Sequence, residues 1–509
     1  MGDELFILGA AMAVALVVAK ALARRLPIPE AVLLVLAGLL ISLIPGVEGV
    51  HVPPELVLNL FLPPLVFHAA FFSAPRETRE DAVPIAILAV TLTCVTALAV
   101  AFVTGSAVQG LTWAAALALG SAVAPTDPVA ATAVMKRLGA PPRLGTILEG
   151  ESLVNDGVAL TMFGLALSML SHSVTAADAA LELARVVLGG ILYGGAMAWV
   201  VARVRRWIHE PGGQIVLSLA TPFVTYLPAE HFGFSGVLAT IVVGFVLGLR
   251  NDGLLQPASR LTGVAFWGVL VFLLESTLFI LLGIEILDVF HNIDGEPWLI
   301  ALLVVAVVIA VRLFWTMVVV PLLRFRRFDR IGLKERIVMG WAGIRGAITL
   351  AIALSIPKEA PSRDLLVFLA ACVVLATLVG QGTTLAPLLR RLGLGSEEGE
   401  AKEEASAREA LLEAALARID ELAADDRVDE RTAEVYRQLF ELRLDRVREV
   451  LDEDTESEHG KGRLRVELIH AQRRKLEQLY RKGRISAEVQ RRLGHELDLE
   501  ERRRASGTQ

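Results

Sequence analysis

The chain of 509 residues has two cysteines, four tyrosines and only 6% aromatic residues. Cys94 and Cys372 each lie inside an apolar run with no second ligand at metal spacing, so neither a disulfide framework nor a thiolate metal centre is expected. A basic excess is also missing: 49 Lys and Arg stand against 55 Asp and Glu, a formal net charge of -6. That balance lacks the electrostatic footprint of a nucleic-acid binder, and no nucleic-acid partner is expected. Charge is scarce over most of the length. Residues 1–395 hold 26 bases and 26 acids, whereas the last 114 residues hold 23 and 29. The first region is therefore too apolar for a soluble core, and the second is a charged tail. No basic residue precedes the first apolar run, where Asp3 and Glu4 stand instead, so an uncleaved first helix is expected rather than a signal peptide. Met1-Gly2-Asp3-Glu4-Leu5-Phe6 lacks the Ser or Thr that a myristoylation site requires.

What the first region does have is a succession of apolar runs, each long enough to cross about 30 Å of hydrocarbon as a helix. They predict an all-α polytopic membrane protein with 13 spans, at 4–23, 28–45, 54–73, 82–105, 111–135, 144–171, 179–203, 213–229, 233–250, 263–287, 297–323, 336–356 and 364–390. Alternate loops collect the bases: 19 Lys and Arg fall on one side, against Lys358 and Arg363 on the other. Basic residues resist translocation, so the amino terminus is expected outside and the tail in the cytoplasm. Thirteen spans divide into six, a linker span and six more, which makes the halves inverted repeats of the kind secondary transporters use. The fifth and twelfth spans are then equivalent, and these two are the most disrupted by helix-breaking residues.

An ionisable group at bilayer depth is costly unless paired or hydrated, so each one asks for a reason. Asp127 stands in Ala124-Pro125-Thr126-Asp127-Pro128, where two prolines should unwind the helix and free carbonyls near Ser121 and Ala124. Free carbonyls beside a carboxylate suit a dehydrated Na+, and the same Asp could cap the half-helix that follows. The sixth span carries Glu149-Gly150-Glu151-Ser152-Leu153-Val154-Asn155-Asp156. Residues four apart share a helix face, so Ser152 and Asp156 form one polar pair and Glu151 and Asn155 another. One pair can face an ion while the other braces the helix. Counting from Leu144 puts Asp156 roughly 18 Å into the membrane, near its midplane. Arg345, in Gly340-Trp341-Ala342-Gly343-Ile344-Arg345-Gly346, lies at similar depth and needs a carboxylate partner, for which Glu151 is the candidate. Glu275 and Arg312 on adjacent spans are expected to neutralise each other. Glu149 either snorkels or reaches a cytoplasmic funnel, and His68 is expected to be a neutral packing residue.

On Thr126-Asp127-Pro128, Glu151-Ser152-Leu153-Val154-Asn155-Asp156 and Gly343-Ile344-Arg345-Gly346, the chain resembles the bacterial branch of the cation:proton antiporter-1 family of sodium/proton exchangers. By span order the resemblance covers residues 5–392. It implies a homodimer built from a dimerisation subdomain and a mobile core, in which helices 5 and 12 are broken and cross. It also implies that Asp156 and Asp127 are the cation and proton carboxylates, with Thr126 and Ser152 as oxygen ligands. Asn155 is implied to steady Glu151, which pairs with Arg345. The transported species would be Na+, with Li+ and K+ left open, and H+; no cofactor is implied. The Asn-Asp form at Asn155 and Asp156 is associated with electroneutral 1:1 exchange. His68 departs from the pattern, because many relatives carry an acidic residue near that point. The expected role is pH homeostasis at the cell (inner or plasma) membrane.

From Ser396 onward the composition turns to Ala, Leu, Glu and Arg with helical periodicity, as in Leu412, Ala415, Leu416, Ile419 and Leu422. Helical hairpins broken near Asp425 and Gly460 are expected. The acidic run 451–458 and the basic stretch 461–484 could self-associate, touch membrane lipids or bind a regulator, or be solvated faces with no partner. Three other readings stand beside antiport: another proton-coupled secondary transporter, an intramembrane aspartyl protease using the two aspartates, and a cation channel. Neither aspartate lies in a Gly-x-Gly-Asp setting, which weighs against the protease.

Overall fold

A computed structural model describes residues 2–23, 25, 28–44, 53–72, 75–171, 176–250, 257–291, 297–322, 331–394, 397–425 and 428–451, with scattered positions between 472 and 493. Regular structure among the described residues is entirely helical, and the chain forms two compact units, Met1–Ser396 and Glu397–Gln509.

The first unit comprises α1 (Gly2–Ala23), α2 (Glu30–Ile41), α3 (Pro54–Phe72), α4 (Pro75–Ala107), α5 (Trp113–Val123), α6 (Val129–Arg137), α7 (Pro142–Ser171) and α8 (Ala176–Arg205). It continues with α9 (Pro211–His231), α10 (Gly236–Leu249), α11 (Pro257–His291), α12 (Trp298–Phe314), α13 (Leu333–Trp341), α14 (Ala347–Leu354), α15 (Arg363–Leu375) and α16 (Gly382–Leu392). Prolines open α3, α4, α7, α9 and α11, where the missing N–H costs nothing and the fixed φ suits a first turn. Thr112 and Ser235 cap α5 and α10 by accepting the N–H of Ala115 at 3.3 Å and of Leu238 at 3.2 Å. Two π-helical turns interrupt otherwise continuous helices: Trp315–Val319 after α12, and Ala376–Gln381 between α15 and α16.

Six segments of described helix are long and apolar enough to cross a membrane: Ala89–Ala107, Arg143–Leu170, Leu181–Arg205, Ser259–Ile286, Trp298–Leu322 and Arg363–Leu392. Shorter apolar helices accompany them, and the unit is a multi-pass membrane protein. Helices α5 and α15 are buried almost throughout, whereas α8 turns Leu181, Leu192 and Trp199 outward, as a helix against lipid would. Small residues set the closest crossings, Gly38 of α2 on Gly283 of α11 and Gly120 of α5 on Ala97 of α4. Most apolar runs read from the sequence fall on one helix each. Those at 111–135 and 336–356 are each divided, into α5 and α6 and into α13 and α14.

In the second unit, α17 (Glu397–Ala424) and α18 (Glu430–Leu451) form a hairpin whose turn falls at the break expected near Asp425. Ala433 and Leu444 are buried in the unit, and exposed ion pairs join the two helices: Arg448 to Glu409 at 2.6 Å and Glu413 at 2.8 Å, and Arg437 to Asp420 at 2.9 Å. Asp429 caps α18 by accepting the Thr432 N–H at 3.1 Å, and its bonds with Thr432 hold its carboxyl below the usual carboxylate range. Gly460, with 452–458 of the acidic run and most of the basic stretch 461–484, lies outside the described residues, as do Arg24, Arg324, Arg326, Arg327 and Arg330 among the 19 loop bases.

Candidate functional site

The site grows from the two interruptions. Helix α5 ends at Val123 and α6 begins at Val129, while α13 ends at Trp341 and α14 begins at Ala347. Prolines 125 and 128 remove two N–H donors from the first gap, which is why the chain leaves the helix there. The gaps meet: the Asp127 N–H donates to the Ile344 carbonyl at 2.8 Å. Asp127 Oδ1 also accepts the Val129 N–H at 2.9 Å, so this carboxylate caps α6 while its other oxygen stays available. A Cβ on Gly346 would stand 2.0 Å from Asp127 Oδ2, so only glycine leaves room for that carboxylate.

The gap leaves carbonyls without helical partners, and side chains from elsewhere take them. Ser152 donates its hydroxyl to the Thr126 carbonyl at 2.6 Å. Arg345, which is 1% exposed, gives its Nε–H to the Val123 carbonyl at 3.1 Å and an Nη1–H to the Gly343 carbonyl. Its own N–H goes to Thr377 Oγ1 at 3.0 Å, in the second π-helical turn. The expected Arg345 to Glu151 ion pair is thus corrected. The guanidinium sits on the carbonyl end of α5, where the helix dipole favours a cation, with Glu151 close enough to act on it through space but not bonded to it.

Glu151 is held instead by Arg312 of α12, with Nη1 to Oε1 at 2.6 Å and Nη2 to Oε2 at 3.3 Å. Arg312 Nε also donates to the Met339 carbonyl at 3.2 Å, and both side chains are buried. A two-pronged pair with a further backbone acceptor is what a charge removed from water needs. This corrects the second expected pair, Arg312 with Glu275. Helix α12 packs on α4 and α15, which turns Arg312 towards α7 and away from α11. A Cβ on Gly343 would stand 2.2 Å from Arg312 Cδ, so that glycine gives the arginine its passage.

Asn155, one turn after Glu151, faces the same protein side. Thr93 of α4 spends its single hydroxyl hydrogen on the Ala89 carbonyl at 2.7 Å. The Asn155 NH2 therefore donates to Thr93 Oγ1 at 2.8 Å and to the Ala89 carbonyl at 3.0 Å. The amide lies 3.3 Å from the Thr126 hydroxyl. Asn155 thereby ties α7 to α4 and the unwound segment. Neither Thr93 nor Thr377 was legible beforehand, since hydroxyls in apolar helices most often bond to their own backbone.

A second face of α7, turned about 100° from the first, lines a cavity of about 390 Å³. Asp156, Ser152, Thr126 and Asp127 contribute to its wall, with Thr132, His68, Glu275 and Gly346. Among the described residues neither the Asp156 nor the Glu275 carboxylate has a hydrogen-bond or ion-pair partner. Lys136 and Glu149, paired at 3.2 Å and both well exposed, also line the cavity and stand at its mouth. The His68 ring lies tilted against Phe72 and Trp267, with centroids 4.7 Å and 5.9 Å away. No three His, Cys, Asp or Glu side chains among the described residues converge as a resident metal centre requires. Two carboxylates with hydroxyl and carbonyl oxygens form a hard donor set that suits a mobile monovalent cation.

Comparison with known proteins bears on the family and the fold. A family model described as sodium/hydrogen exchanger, transmembrane, matches residues 12–391. An uncharacterized Na(+)/H(+) exchanger of Mycobacterium bovis is 33% identical, covering 96% of this chain and 94% of its own length. The low-affinity Na(+)/H(+) antiporter NhaS1 of Synechocystis is also 33% identical, over 72% of this chain and 70% of the relative. Among solved structures, the sodium proton antiporter MjNhaP1 from Methanocaldococcus jannaschii at pH 8 superposes with a TM-score of 0.61. At 22% identity it covers 77% of this chain and all of that one, a likeness of fold.

Proposed function

We propose, from the premise that the chain belongs to the sodium/hydrogen exchanger family and is a transporter rather than an enzyme, that it exchanges Na+ for H+ across a cell membrane. Asp156 is the shared carboxylate. Asp127, Ser152 and Thr126 complete the oxygen set, while Glu151, Asn155, Arg345 and Arg312 hold the frame. The observation that carries this reading is the division of labour on α7. Its buried acid is committed to Arg312, and Asp156 faces an open cavity without a protein partner among the described residues.

A cation and a proton cannot both neutralise one carboxylate, so each displaces the other. A neutralised site crosses the hydrocarbon barrier at low cost, and an empty, charged one does not. Exchange is then obligatory, each tenfold gradient supplying about 1.4 kcal/mol without ATP. Lys136 and Glu149 put the open mouth on the side of the basic loops, which we assign to the cytoplasm, with the amino terminus outside. Alternating access moves a core carrying the broken helices against a dimerisation subdomain, within two inverted six-helix repeats and a homodimer. With one uncommitted aspartate in the Asn155-Asp156 pair, exchange is electroneutral, one cation for one proton, and serves pH homeostasis. Li+ and K+ are the other cations this donor set admits. The tail hairpin is a regulatory appendage.

The test is Asp156→Asn in proteoliposomes. Na+-dependent proton movement is abolished while the purified protein keeps the thermal stability of the parent. Normal exchange by that variant would overturn the assignment.

A further inference from the structure

A second cleft, outside the exchange site, carries a different charge. Arg205 is the last residue of α8 and is 2% exposed. Its Nε and Nη1 have no hydrogen-bond partner, and it makes no ion pair among the described residues. Its guanidinium lies over the Phe71 ring, with Cζ 5.4 Å from the centroid. Removing one partner of a buried charge costs several kcal/mol, so a guanidinium enclosed without an anion asks for one from outside.

The surroundings say what kind. Arg205 lines a small cleft of about 30 Å³ with Arg260, Ser218, Ser259 and Trp267. Ser218 accepts the Trp267 indole N–H at 3.0 Å, which leaves its own hydroxyl hydrogen free to donate. Arg205 and two hydroxyls form a donor set, and no Asp or Glu side chain is among the described residues that line the cleft. The volume admits about two oxygen-sized atoms, given about 10–15 Å³ for each. The ligand's remaining bulk stays outside.

Position narrows it further. Arg205 ends α8 and Ser259 lies in the first turn of α11, the helices that carry the membrane-crossing segments Leu181–Arg205 and Ser259–Ile286. The end of an apolar span is where a headgroup would be met. Trp207, Leu261 and Val264 beside the cleft are strongly exposed, an aromatic and apolar rim suited to lipid. We infer that this cleft binds a phosphate oxyanion, inserted between Arg205 and the Ser218 and Ser259 hydroxyls, with a phospholipid headgroup as its source. Planar guanidinium and phosphate match as a two-pronged pair, and basic pockets between transmembrane helices recognise lipid phosphates this way.

The test uses the delipidated full-length protein in neutral detergent, read by thermal unfolding. Dioleoylphosphatidylglycerol raises the midpoint by several degrees, and dioleoylglycerol, the same tails without phosphate, does not. A matching rise with millimolar inorganic phosphate, against chloride at equal ionic strength, assigns the cleft to free phosphate rather than to a headgroup. Arg205→Gln removes the response to every phosphate probe. Because that variant could fail to fold, Ser259→Asp provides an independent arm. It supplies the missing anion internally, so the midpoint is raised without lipid and the response to phosphate is lost. Equal stabilisation of the parent and Ser259→Asp by phosphatidylglycerol, or no response of the parent to any phosphate probe, overturns the inference.

Discussion

The two faces of α7 treat the same chemical group in opposite ways. On one face, Glu151 is buried and gripped at both oxygens by Arg312. On the other, five residues along, Asp156 borders a cavity with no protein partner among the described residues. A charge locked by a guanidinium contributes shape and cannot be exchanged; a charge left open contributes little to stability and can bind cargo. Stability and transport should therefore separate cleanly between the faces, and each of the following substitutions strains that separation.

The largest effect is expected on the locked face. Arg312→Ala leaves the Glu151 carboxylate buried and unpaired, a loss of about 3–5 kcal/mol, visible as a collapse of the thermal midpoint in detergent. Replacing both partners, Arg312→Met with Glu151→Leu, should recover most of that midpoint, because no charge is then stranded. Asp156→Asn, by contrast, should leave the midpoint where it was.

Gly346→Ala comes next and acts on the open face. Its Cβ meets Asp127 Oδ2 at 2.0 Å, so the carboxylate must move out of the cation's donor set. The expected outcome is a rise in the KM for Na+ on the order of tenfold, the equivalent of about 1.4 kcal/mol, with the protein still folded. An unchanged KM would show that Asp127 does not touch the cation. Thr93→Val tests the brace between the faces. Losing the Asn155 contact should cost about 1 kcal/mol of stability and leave KM unaltered.

The smallest effect belongs to the cavity mouth. Lys136 and Glu149 are well exposed, so Lys136→Ala should change stability by less than about 1 kcal/mol. It should instead alter how uptake rates depend on ionic strength, measured by stopped-flow at low and high salt, since charges at a mouth steer ions towards it.

Most of the architecture was legible because it rests on local rules. Runs of apolar residues set helix lengths, Pro125 and Pro128 announced the break after Val123, and the four-residue spacing of Ser152 and Asp156 put both on one side of α7. The division of the twelfth run was foreshadowed by Gly340, Gly343 and Gly346, although what approaches Gly343 and Gly346 most closely is a side chain in each case, Arg312 and Asp127. Partner choice was not legible. Depth and adjacency pair Glu151 with Arg345 and Arg312 with Glu275, and neither direct pair forms.

The sequence alone determined which apolar runs carry charged residues and where helices must break, since these depend on residues within a few positions of one another. Only the tertiary structure decided which arginine meets which carboxylate. Glu151 and Arg312 are 161 positions apart, and their meeting depends on the packing of α12 against α4 and α15, which no local pattern encodes. It also aimed Arg345 at the carbonyls of Val123 and Gly343, groups that every sequence contains and that only a fold can direct.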